Sequence, residues 1–201
     1  MSWEMVLEHI YMVVVSCSLV ILIGVPLGIF AYCRPQAGRI ILTVVDLIQT
    51  IPVLAVMGLL MMMFGANSTT AIISMVLYLL LPIVRNTNTG LNSVSLILKE
   101  TADAMGMNRL QRLIRVEFSL AFPFILTGIR IAFVTAVGVA VFGTFVGGGG
   151  LGSMLYRGIR IQNFELILKG TLTLMVMSVF FDYLLGFAEK KCGGAHEKVE
   201  K

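Results

Sequence analysis

The sequence predicts an all-α membrane protein with five transmembrane helices, its N-terminus outside and its C-terminus cytoplasmic. Three observations carry that expectation. Of 201 residues, 58% are hydrophobic and 13% charged, with a mean hydropathy of +0.94, whereas soluble domains run near a quarter charged. The apolar residues lie in five blocks, and roughly 20 helical residues cross about 30 Å of hydrocarbon. Lys and Arg gather on one side of those blocks, as the positive-inside rule requires.

The first block covers residues 10–31. Glu4 and Glu8 precede it, without Lys or Arg, so it reads as a retained span and not as a signal peptide, which opens with a basic region. The second covers 40–64. There Pro52 removes the donor for the carbonyl of Ile48 and predicts a kink, with Gln49 and Thr50 as local polar compensation and a candidate path-lining element. The third, 70–84, is short and leans on its flanks. The fourth, 122–146, sets Gly128, Ala132, Ala136, Ala140 and Thr144 four apart, a strip of small residues that lets helices approach. Packing within one bundle and a subunit interface are both open readings of it. The fifth covers 166–187. Runs such as 12–15 and 77–81 are continuously apolar, which excludes the alternating strands of a membrane β-barrel.

Arg34, Arg39, Arg85, Lys99, Arg109, Arg112, Arg115, Lys190, Lys191, Lys198 and Lys201 fall on one side, against Arg157, Arg160 and Lys169 on the other. The side rich in positive charge is cytoplasmic. This sorting accounts for the net charge of +4 without nucleic acid as a partner. The layout is then a single transmembrane domain, 1–190, and a polar cytoplasmic tail, 191–201. The domain carries a cytoplasmic segment, 86–121, and an outer glycine-rich loop, 147–165.

Several chemistries are excluded. Cys17, Cys33 and Cys192, with His9 and His196 near opposite ends, have no metal-ligand spacing, so no metal site is expected. Gly147, Gly149 and Gly152 match a dinucleotide pattern only formally, because that pattern needs a strand before it and a helix after it. They read instead as a flexible outer turn, with Gly149 and Gly150 as candidate gate residues. No Gly-Lys-Ser/Thr loop is present to cradle ATP, no catalytic constellation is legible, and no cofactor is expected on this chain.

Charges at membrane depth need partners or water. Asp46, Arg130 and Asp182 each lie about two turns from the cytoplasmic end of their spans at roughly 1.5 Å per residue, so they form a candidate ionic layer. In the cytoplasmic segment, Ala102, Met105, Leu110, Leu113 and Ile114 make an apolar stripe. Gly106 suits the left-handed end of a helix, and Asn108 with Gln111 suits a capping box. Two short helices with a turn at Gly106 follow.

Glu100-Thr101-Ala102 with Gly106 resembles the Glu-Ala-Ala, three residues, Gly motif of the coupling helix in ABC importer permeases. Three further stretches, 46–52, 81–91 and 143–152, are similar to the osmoprotectant branch, importers of glycine betaine, carnitine or choline. The likeness runs from the first span to the fifth. It departs at Thr101, where alanine is usual, and at Phe118-Ser119, where Leu-Pro is common. The resemblance implies a type I ABC importer permease in a bacterial cell membrane, multi-pass and non-catalytic. Glu100, Thr101, Ala102, Asp103, Ala104, Met105 and Gly106 would dock on a cytoplasmic ATPase dimer that holds ATP and Mg. An extracytoplasmic substrate-binding protein and a second permease subunit, identical or homologous, complete the assembly, since five helices are few to enclose a path. Permeases for methionine or another small solute, an ion-coupled secondary carrier, and a non-transporting scaffold are the alternatives.

Overall fold

The computed structural model describes residues 3–193, and every regular element among them is helical. Expectations placed on His196, Lys198, Lys201 and the side chain of Cys192 fall outside the described residues. In chain order the elements are α1 (Trp3–Cys33), α2 (Pro35–Thr50), α3 (Val53–Phe64), α4 (Ser68–Ser93), α5 (Leu96–Ala104) and α6 (Arg109–Arg112). A π-helical turn (Leu113–Glu117) leads into α7 (Phe118–Ala140), a 3-10 segment (Val141–Val146), α8 (Leu151–Arg160) and α9 (Phe164–Gly193).

Four stretches are long and apolar enough to cross a membrane: α1, α4, α6 through the 3-10 segment, and α9. The second apolar block, where a kink at Pro52 is expected, is broken outright. It divides into α2 and α3, set at 94° to each other. At about 1.5 Å per residue neither piece alone spans the hydrocarbon, and the bent pair has the form of a broken span or a re-entrant loop. The cause is local. Ile51 and Pro52 both take extended ψ values of about 130°, a proline cannot donate to the helical ladder, and the residue before it is pushed out of the α region.

Helix α4 is the centre of the bundle. It packs against α1, α2, α3 and α7, while α7 packs in turn against α1 and α9. Small residues set these distances. Gly28 on α1 lies so close to α4 that a Cβ there would stand 2.6 Å from Thr87 Cβ and 2.9 Å from the Val84 carbonyl oxygen. Gly128 on α7 meets α4 equally closely, 2.8 Å from the Pro82 carbonyl oxygen. Ala132, Ala136 and Ala140 continue that strip and are completely buried. The strip therefore serves packing inside the bundle. By contrast, α9 leaves Leu172, Val176, Phe180, Tyr183 and Phe187 exposed, and it joins α7 through the Phe133–Phe181 ring pair, 5.1 Å between centroids.

Candidate functional site

The segment that leaves the membrane bundle is built as its caps dictate. Helix α5 ends in a Schellman motif: the Gly106 amide donates to the Asp103 carbonyl at 3.0 Å, and the Met107 amide reaches the Ala102 carbonyl at 3.1 Å. That motif needs a left-handed residue, and Gly106 has φ +81°. Asn108 then opens α6 with a reciprocal capping box, its Oδ1 accepting from the Gln111 amide and Gln111 Oε1 accepting from the Asn108 amide. The expected pair of short helices turning at Gly106 is observed. Of the stretch 100–106, only Ala102 is buried. The apolar stripe points outward at Met105, Leu110 and Ile114, which leaves an apolar surface with acidic residues Glu100 and Asp103 on a projecting arm.

Two of the three candidate ionic-layer residues meet. Arg130 on α7 holds Asp182 on α9 in two parallel bonds, Nε to Oδ1 at 2.6 Å and Nη2 to Oδ2 at 2.8 Å. Glu189, one further pair of turns along α9, joins through Arg130 Nη1 at 3.1 Å and accepts from the Thr127 hydroxyl. Asp46 does not belong to this cluster. It pairs with Arg85 on α4, because α2 lies beside α1 and α4 and away from α7 and α9. Glu189 had a legible signal, its spacing of seven from Asp182, which is two helical turns. It sat outside the apolar block, and α9 runs on through it.

The corner between α2 and α3 places Thr50 and Pro52 at the surface, with Gln49 partly buried. The Thr50 hydroxyl donates to the Leu47 carbonyl at 2.7 Å, and the Ile51 amide takes up the Ile48 carbonyl that Pro52 abandons, at 3.2 Å.

The outer glycine turn, expected to be flexible, meets the first helix closely. Gly147, Gly149 and Gly150 all have positive φ, between 72° and 80°. A Cβ on Gly149 would stand 2.6 Å from Glu8 Oε2, and the same carboxylate oxygen accepts from the Gly150 amide at 2.9 Å. Beside it, His9 is fully buried and its Nε2 lies 3.1 Å from the Val137 carbonyl oxygen. That carbonyl is free because the Val141 amide turns to Gly138 as α7 tightens into the 3-10 segment. The first helix thus holds the outer turn through two neighbouring residues, neither of which stood out in the sequence. An open cavity of about 440 Å³ lies here, lined by Leu7, Glu8, Tyr11, Met12, Ser68 and Gly147 to Gly149.

A family model described as binding-protein-dependent transport system inner membrane component matches residues 24–193. The chain belongs to this family. This inner membrane component is 39% identical over 184 residues to the carnitine transport permease protein OpuCD of Listeria monocytogenes, covering 91% of this chain and 82% of the relative. It is also 39% identical over 192 residues to the choline transport system permease protein OpuBD of Bacillus subtilis, covering 95% and 85%. The ergothioneine transport permease/ergothioneine binding protein EgtU of Helicobacter pylori matches at 39% over 167 residues, 83% of this chain and 30% of that longer protein. Among solved structures, a chain of the MetNI methionine ABC transporter in an inward-facing conformation superposes with a TM-score of 0.78 at 26% identity, covering 94% of this chain and 92% of that one. The fold is thus that of a type I ABC importer permease, and the inner membrane component is a multi-pass membrane protein.

Proposed function

We propose that this chain is the permease subunit of an ATP-driven importer of quaternary-amine osmoprotectants, of the glycine betaine, carnitine and choline class. The observation that carries the substrate class is the 39% identity, along nearly the whole chain, to permeases named for carnitine and for choline. Those solutes share a trimethylammonium group, as does ergothioneine.

The remaining assignments follow from the reading. Residues 100–106 dock in a cytoplasmic ATPase dimer, which holds ATP and Mg, and this chain itself catalyses nothing. The exposed arm, with its Schellman turn and capping box, is a compact shape for such a cleft. The N-terminus lies outside and the positively charged side is cytoplasmic, in a bacterial plasma membrane. An extracytoplasmic binding protein delivers the solute, and a second permease, identical or homologous, closes the path. The α2–α3 corner with Gln49, Thr50 and Pro52, and the outer turn with Gly149 and Gly150, are the path or gate elements. Arg130, Asp182 and Glu189 bind α7 to α9 so that these helices move together.

The test is reconstitution in proteoliposomes with the partner ATPase and binding protein. ATP-dependent uptake of choline, carnitine or glycine betaine, with hydrolysis stimulated by loaded binding protein, is the expected result. Uptake without ATP by this chain alone overturns the reading in favour of a secondary carrier.

A further inference from the structure

The arm formed by α5 has little apolar packing to hold it, since Ala102 is its one buried side chain. Its orientation relative to the bundle therefore depends on polar contacts. On one side the Lys99 ammonium lies 5.2 Å from the Tyr32 ring centroid and 3.4 Å from the Leu91 carbonyl oxygen, which ties α5 to α1 and α4. On the other side stands Arg112. Its Nη1 donates to Asp103 on the arm at 2.5 Å and its Nε to Glu117 at 2.7 Å.

Glu117 is the unusual member. It is 2% exposed, and a buried carboxylate needs a paired cation. Tyr32 faces the same carboxylate. In an α-helix, side chains five apart point roughly 140° away from each other at 3.6 residues per turn, so Arg112 and Glu117 would not meet. They meet because the chain between them is a π-turn, closed by the Phe118 amide on the Leu113 carbonyl. A turn of that width brings residues five apart over one another, and such turns are frequent at functional sites. The π-turn also runs without a break into α7, so Glu117 is the foot of a membrane-spanning rod.

We propose that Arg112, locked on Glu117 by the π-turn and reaching Asp103, is the positioning residue that makes the projecting arm and α7 move as one body. This rests on the reading of residues 100–106 as the surface that meets the ATPase. A push on α5 reaches α7 through the guanidinium, where the connecting turn at Gly106 alone would let the arm swivel.

The experiment uses the whole importer with the double variant Arg112→Gln/Glu117→Gln. This removes both charges and leaves two amides able to bond each other, so no charge is stranded in the protein interior. The expected result is an intact permease–ATPase complex with wild-type basal hydrolysis. In that complex, choline, carnitine or glycine betaine taken up per ATP hydrolysed falls by about tenfold, the scale of one lost charge-assisted hydrogen bond. Nitroxide labels at Ile97 on α5, outside the docking stretch, and Phe124 on α7, both exposed, report a narrow distance distribution in the parent and a broad one in the variant, at equal thermal stability.

An intact variant complex with unchanged uptake per ATP and an unchanged distribution overturns the proposal. A variant that no longer binds the ATPase overturns it too, by assigning Arg112 to assembly. Absence of ATP-driven uptake in the parent complex marks the failure of the docking reading itself.

Discussion

Arg130 grips Asp182 with two nitrogens of its guanidinium and Glu189 with the third, binding α7 to α9. Removing the cation strands two carboxylates, whereas removing one carboxylate leaves Arg130 with the other. Unpaired charge in or near hydrocarbon is costly. Arg130→Leu is therefore expected to lower the amount of folded protein in the membrane more than Asp182→Leu does. The yield of monodisperse protein on size exclusion in detergent measures it, and equal losses in the two variants would show that Glu189 contributes nothing.

Close approach of α7 to α4 predicts opposite effects of one substitution at two glycines of the same helix. At Gly128 a Cβ would stand 2.8 Å from both the Pro82 carbonyl oxygen and Asn86 Cβ, so Gly128→Ala is expected to cost about 1–3 kcal/mol, the usual range for overpacking. At Gly138 nothing lies within 4 Å, and Gly138→Ala is expected to gain roughly 0.5–1 kcal/mol from helix propensity. Chemical unfolding in mixed micelles compares the two.

Gly106 has open space around its missing Cβ but a left-handed φ of +81°. Its replacement by Val is paid in backbone strain alone, about 1–2 kcal/mol, and the arm is expected to lose its turn. Uptake should fail while membrane insertion and yield stay at parent levels. Full uptake by Gly106→Val would remove the turn from the coupling path.

The outer turn depends on His9. Replacing it with Leu leaves the buried Val137 carbonyl oxygen without the donor that replaced its helical one, a loss of about 1–3 kcal/mol for an unsatisfied buried group. Thermal unfolding of His9→Leu against the parent is the measurement, with His9→Gln, which keeps an N–H donor, expected to recover part of the difference.

Sidedness is testable with the cysteines already present. Cys33 is exposed at the end of α1 and Cys17 is buried. In a Cys192→Ser background, a membrane-impermeant maleimide is expected to label Cys33 in inside-out vesicles and not in right-side-out ones. Labelling from the outside would invert the orientation.

Much of this fold is legible residue by residue. Apolar blocks of spanning length marked α1, α7 and α9, and a shorter one marked α4, because hydropathy sums over neighbours in sequence. The turn at Gly106 and the box at Asn108 and Gln111 were legible for the same reason, since caps are closed by groups three to five residues away. Pro52 announced a break, though its size is set by Ile51 and Pro52 both adopting extended ψ. The contact of the glycine turn was not legible, because the same glycines that suit a loose outer turn also permit the close approach that Glu8 makes at Gly150.

By itself, then, the sequence determined that the chain lies in a membrane as helices and that a capped arm projects from them, for those properties are local sums and short hydrogen bonds. Only the tertiary structure decided which charges pair. Asp46 and Arg85 are 39 residues apart, Arg130 and Glu189 are 59 apart, and their meeting depends on which helices are neighbours. It decided, too, that Arg112 and Glu117 face each other. Helical periodicity turns side chains five apart away from one another, and one π-turn reverses that.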